Sequence, residues 1–129
     1  MSIEKLILTP LQKAIESLTE VIAQPKDEFI RDATIQRFEY TYELSWKMIK
    51  RHLVWAGFSD VPPTVKDLFR EAAKIGLISD AEKWFDYHQA RNETSHTYDE
   101  DTAEEVYQVA LKFLSDAQSL LAELRKHHG

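Results

Sequence analysis

Between Trp84 and Tyr98 the sequence crowds groups with useful chemistry into a short stretch: His88, Arg91, Asn92, Ser95, His96 and Tyr98. Arginine offers a permanently charged fork that grips a phosphoryl group at two points. Histidine titrates near neutrality and can carry a proton to or from a reacting oxygen. Asparagine can orient either group. Together the set suits phosphate chemistry. If the segment is helical, His88, Asn92 and His96 share one face. Arg91 and His96 stand about 140° apart on a straight helix. They can serve one substrate only if the helix bends or frays near Ser95, or if the site straddles a cleft. His88 and His96 are about 12 Å apart along the axis, too far for one metal ion.

Other groups admit plainer readings. Asp99, Glu100, Asp101, Glu104 and Glu105 are acids near a helix start, where they complement the macrodipole, so no metal is expected there. Lys47, Lys50 and Arg51, with His52, form a basic patch. It complements a helix C-terminus and is also a candidate for phosphate or RNA contact. His127 and His128 read as a frayed tail or as cations at a helix end. Trp46, Trp55 and Trp84 read as core or interface.

The elements that must position these groups are helices. The chain has 129 residues with only 3 Gly and 4 Pro, too few turn residues for a β-rich fold. Its length is that of one domain, residues 1–129, with enough chain for a real core. It has no cysteine, which excludes disulfides, thiolate metal sites and cysteine nucleophiles. No apolar run is long enough to span a membrane, and the first ten residues lack signal-peptide character, so a cytoplasmic location is expected.

Start and stop signals mark the helices. Thr9, Pro10 and Gln12 form a capping box for a first helix reaching about Ala23, with Leu11, Ile15, Leu18 and Ile22 on one stripe. A long second helix begins at Asp27 or Glu28 and reaches about Ala56, with Gly57 just beyond it. Its aromatic residues occur on more than one side, which predicts two buried faces, one of them toward a partner. Ser59 to Pro63 is a loop. Thr64 caps a short helix ending near Ile75, closed by Gly76. Ser79 and Glu82 make a capping box for a fourth helix running to about His96. Asp101 and Glu104 open the last helix, whose inner face carries Val106, Ala110, Phe113, Ala117, Leu120 and Leu124. The fold predicted is all-α, an up-and-down four-helix bundle with one additional short helix.

The net charge of −6 is uneven. Residues 1–58 balance 8 Lys/Arg against 8 Asp/Glu, while residues 59–129 hold 8 against 14. Such a chain is a poor non-specific DNA binder, so any nucleic-acid contact must be local.

Two segments together carry a family resemblance. The run from Arg31 to Lys47, including Phe38-Glu39-Tyr40-Thr41-Tyr42-Glu43-Leu44-Ser45-Trp46, resembles the second helix of the nucleotidyltransferase substrate-binding family, part of the HEPN superfamily of helical bundles. Arg91-Asn92-Glu93-Thr94-Ser95-His96-Thr97-Tyr98 resembles its other signature: Arg, a polar residue, three variable positions, His, one variable position, Tyr. The resemblance implies a homodimer and a minimal nucleotidyltransferase as partner. It also implies a metal-independent endoribonuclease, the toxin of a toxin–antitoxin pair. In that role Arg91 stabilises charge on the scissile phosphate, His96 transfers the proton, and Asn92 orients them. Tyr98 accepts AMP from the partner. No intrinsic cofactor is implied; nucleotide, ATP or AMP, arrives through the partner. The same resemblance also supports a different role, a non-catalytic substrate- or nucleotide-binding subunit.

Overall fold

The computed structural model describes residues 4–58 and 60–129. Met1 to Ile3, part of the ten residues read for signal-peptide character, and Ser59 of the predicted loop lie outside the described residues. Five α-helices follow in order: α1 Thr9–Ile22, α2 Glu28–Trp55, α3 Val65–Lys74, α4 Ala81–Glu93 and α5 Glu100–His128, with a single 3₁₀ turn at Thr94–His96 between the last two. α1, α2, α4 and α5 form the bundle, and the short α3 packs on α2 and α4.

The local signals for α2 and α3 are realised. Asp27 accepts the Ile30 amide and Thr64 accepts the Asp67 amide, each satisfying a donor that the first helical turn leaves free. Gly57 and Gly76 follow with positive φ, the left-handed conformation that ends a helix at little cost for glycine. Three other starts differ from the predicted ones. Thr9 lies inside α1 behind Leu8, and Gln12 donates to Glu16 instead of closing a capping box. Asp80, not Ser79, caps α4. Asp99, not Asp101, caps α5, accepting both the amide and the hydroxyl of Thr102. At α4 and α5 a second short polar side chain stands close to the predicted cap, and a carboxylate takes the role in both.

The core is built on aromatic rings. Phe113 of α5 receives Phe38, Trp84 and Tyr87 edge-on, at centroid distances of 5.2, 5.6 and 5.0 Å. Such tilted contacts place the positive ring edge on the negative face. α1 meets α2 where small residues allow it: Thr41 donates to Arg37 O and lies against Ala14 O, while Ser45 donates back to Thr41 O. These hydroxyls are buried yet satisfied, so they carry no desolvation penalty of the unpaired kind.

Ion pairs fasten the start of α5. Arg31 of α2 is buried and donates to Glu100 at 2.6 Å and to Asp32 at 3.2 Å. Lys26 reaches Glu104 at 2.7 Å. Asp99, Glu100 and Glu104 of the acidic run are therefore a helix cap and an ion-pair set.

The tail is not frayed. His128 is buried, and its Nδ1 accepts the Leu6 amide at 3.1 Å while its Nε2 lies 2.9 Å from His52 Nδ1. The Leu6 bond leaves His128 Nδ1 without a proton, so Nε2 carries it and donates to His52. His52 is only 3% exposed and is pushed down to about 4 by burial, then by His127 and His128. Burial, His127 and Lys5 lower His128 as well. This end of the bundle is closed by two neutral imidazoles, not by cations.

Candidate functional site

α4 stops being an α-helix at Glu93, and the chain tightens into the 3₁₀ turn Thr94–His96. Side chains cause the stop. Thr94 Oγ1 donates to Arg91 O at 2.7 Å and Thr97 Oγ1 to Thr94 O at 3.1 Å, offering carbonyls an alternative to the helical ladder. The turn packs against α2, α4 and the start of α5. Of the two arrangements open to Arg91 and His96, a bend near Ser95 or a site straddling a cleft, the bend is present, beginning at Thr94.

Arg91 is anchored from across the bundle. Its Nε donates to Glu43 Oε1 at 2.5 Å, and the other Glu43 oxygen accepts the Trp46 indole N–H at 3.0 Å. One carboxylate therefore orients both an arginine and a tryptophan. The Arg91 side chain stays 37% exposed, and its two terminal nitrogens make no hydrogen bond among the described residues. Their N–H groups form the outer edge of the fork, open to an incoming anion.

His88 faces inward, sharing a 2.8 Å hydrogen bond with the Tyr42 hydroxyl. Burial, followed by Arg91 and Lys66, lowers its pKa against the opposing pull of Glu43. Burial raises Tyr42 well above the ordinary phenol value. His88 thus belongs to the support of the site and departs from the face it was expected to share with Asn92 and His96. Those two are exposed. His96 lies edge-on to Tyr98, centroids 6.1 Å apart, and Tyr98 is 83% exposed.

The structure therefore joins His96 with Tyr98 and Arg91 with Glu43. Among the described residues it forms no hydrogen bond between Arg91 and His96. Lys47, Lys50 and Arg51 lie on the α2 surface beyond Trp46. Glu43 is the residue that sequence reasoning missed as part of the site. A carboxylate one turn before Lys47 has an obvious local partner, and nothing local points to Arg91, 48 residues away. A groove of about 660 Å³ runs between α4 and α5, lined by Lys83, Asp86, Glu93, Lys112 and Asp116, but neither Arg91 nor His96 lines it.

Residues 6–126 match the family profile described as nucleotidyltransferase substrate binding protein like. The chain belongs to this family. Within it, the chain is 38% identical to a Haemophilus influenzae protein named probable ribonuclease HepT, with 99% of this chain and 98% of that protein aligned. A solved Haemophilus influenzae structure, described as revealing the fold of a substrate-binding domain of a nucleotidyltransferase, superposes with a TM-score of 0.86 at 37% identity. It covers 92% of this chain and 99% of its own. A crystal structure from Thermus thermophilus superposes with a TM-score of 0.79 at 30% identity, over 89% of this chain and 98% of its own. The all-α bundle is thus the fold of the nucleotidyltransferase substrate-binding family, with its Arg91–Tyr98 segment at the α4–α5 corner. No helix among the described residues is long and apolar enough to cross a membrane.

Proposed function

We propose that this chain is the helical partner of a minimal nucleotidyltransferase and acts as a metal-independent endoribonuclease, the toxin of a toxin–antitoxin pair. The observation that carries this reading is the α4–α5 corner: an arginine held on Glu43 with its outer edge open, followed within one short turn of chain by an exposed histidine and an exposed tyrosine. The name of the Haemophilus relative supports the ribonuclease part, and the substrate-binding description of the solved neighbour supports the partnership.

In the reaction, His96 takes the proton of an RNA 2′-hydroxyl. The 2′-oxygen attacks the adjacent phosphorus, and the bond from phosphorus to the 5′-oxygen breaks. Arg91 neutralises the charge that grows on the phosphoryl oxygens. A homodimer brings a second His96 to the cleft to protonate the leaving 5′-oxygen, and two chains can then surround one phosphate. Asn92 orients these groups. In silencing, the Tyr98 hydroxyl attacks the α-phosphorus of ATP on the partner enzyme; pyrophosphate leaves and AMP stays on the phenol. The added phosphate beside His96 blocks the cleft and repels RNA.

The test is expression with and without the neighbouring nucleotidyltransferase, followed by intact mass and an RNA cleavage assay. The expected result is cleavage by the unmodified chain, loss of cleavage in a folded His96→Ala variant, and a mass gain of one AMP on Tyr98 with the partner. Unmodified Tyr98 beside an active partner and ATP contradicts the silencing step. The second reading, a non-catalytic substrate- or nucleotide-binding subunit, is favoured by the absence, among the described residues, of a hydrogen bond between Arg91 and His96. Under it the wild-type protein cleaves no RNA, and His96→Ala changes only nucleotide or partner binding.

A further inference from the structure

Glu43, Trp46, Lys47, Lys50 and Val54 fall at i, i+3, i+4, i+7 and i+11 of α2, a single stripe on one helix face. Arg51 and Trp55 form its shoulder. The stripe starts at the carboxylate that holds Arg91 and runs about 14 Å along the axis from Trp46 to Trp55. A groove of about 560 Å³ lies along it, with Glu4 and Leu6 of the N-terminal segment as the opposite rim.

Three features of this groove point to one occupant. Its floor is apolar and aromatic: Val54 is 55% exposed, and both indoles are half-buried and pinned. Trp46 is held by Glu43, and Trp55 packs 4.5 Å from the His128 ring. Its edge is cationic. Lys47, Lys50 and Arg51 are exposed, and none makes an ion pair or side-chain hydrogen bond among the described residues, while Glu4 is the groove's single lining carboxylate. A chain of net charge −6 thus keeps three uncommitted cations together here. Finally, the groove is continuous with the candidate site through the Arg91–Glu43–Trp46 bridge.

We propose that this groove is the seat of the single-stranded RNA flanking the cleaved phosphate. Bases stack on Trp46 and Trp55 while Lys47, Lys50 and Arg51 meet successive phosphates. Stacking on indoles beside a cationic edge is how single strands are held without sequence readout, and a duplex keeps its base faces hidden. The inference rests on the ribonuclease reading above and adds a substrate class: unpaired RNA extending beyond the scissile bond on the α2 side.

The test is titration of the full chain with a fluorescent 2′-O-methyl single-stranded RNA of about a dozen nucleotides, which cannot be cleaved because the attacking hydroxyl is capped. The expected result for a Lys47→Gln, Lys50→Gln, Arg51→Gln variant is unchanged melting, weaker binding, and a log K against log salt slope shallower by about 2, since each single-strand phosphate contact contributes about 0.7. Trp55→Leu is expected to weaken binding about tenfold with the salt slope kept. The charge variant folds whether or not Trp55→Leu does, because its three side chains are exposed. Equal affinity and slope in the charge variant overturn the proposal. So does loss of nucleotidyltransferase binding with RNA binding intact, which makes the face a protein interface. The two readings fail separately. A wild type that cleaves RNA, with binding indifferent to these variants, sinks the groove alone. A wild type that binds through the groove but neither cleaves nor accepts AMP sinks the ribonuclease reading.

Discussion

Two regions along α2, centred on Glu43 and His52 and about 14 Å apart on the axis, use similar residue types to opposite ends. At His52 the polar groups form an inward chain: the Leu6 amide donates to His128 and His128 donates to His52, with both rings largely buried. At Glu43 the chain stays open. Glu43 engages Arg91 and Trp46, but the outer edge of Arg91 and the rings of His96 and Tyr98 face solvent. His128 is structural, with both ring nitrogens bonded inside the fold, whereas exposed His96 makes no side-chain hydrogen bond among the described residues and is open to a ligand.

Substitutions should separate the two regions. The largest expected effect is on His96→Ala: RNA cleavage falls by about 10² to 10⁴-fold in a steady-state assay, while the melting temperature stays that of wild type. Glu43→Ala comes next. Arg91 loses its anchor, and cleavage drops by up to about 10²-fold through misplacement, with Glu43→Gln recovering part because the amide oxygen can still accept from Nε. A Glu43→Ala variant with the RNA-cleavage kcat/KM of wild type would break the claim that this carboxylate positions Arg91.

At the closed region the signature reverses. His52→Ala strands the buried Nε2–H of His128, so chemical denaturation should show a loss of about 1–3 kcal/mol, with activity per folded molecule retained. The same pair predicts a pH dependence. The folded pKa of His52 lies near 4, below the ordinary histidine value of about 6.5. Between these values the unfolded chain binds more protons than the folded one. The contribution is therefore intact above pH about 6.5 and is lost as pH falls toward 4, at no more than about 1.4 kcal/mol per pH unit. The protection factor of the Leu6 amide against hydrogen exchange should fall over the same window. A flat stability profile there would falsify the neutral assignment of the pair.

Much of the architecture was legible because its causes are local. The stripe of Leu11, Ile15 and Leu18, the cap at Asp27 and the glycines at 57 and 76 act within one or two helical turns. Cap positions slipped at Ser79 and Asp101, where neighbouring polar side chains competed for the role. The segment Arg91–Tyr98 was legible as a candidate site, and helical geometry alone required either a break near Ser95 or a site straddling a cleft; the structure has the break. His128 was misread because a histidine beside a chain end has no nearby signal of burial; its partners are 76 and 122 residues away.

The sequence by itself thus determined which helices form, roughly where they stop, and which side chains are candidates for phosphate chemistry. Periodicity, caps and residue type are local quantities, and each is decided by atoms a few residues apart. Only the tertiary structure decided that Glu43 holds Arg91, that His88 turns inward to Tyr42, and that His52 and His128 are neutral partners. Those outcomes depend on which helix faces pack together. Packing is set by the whole core closing around Phe113, not by any neighbour along the chain.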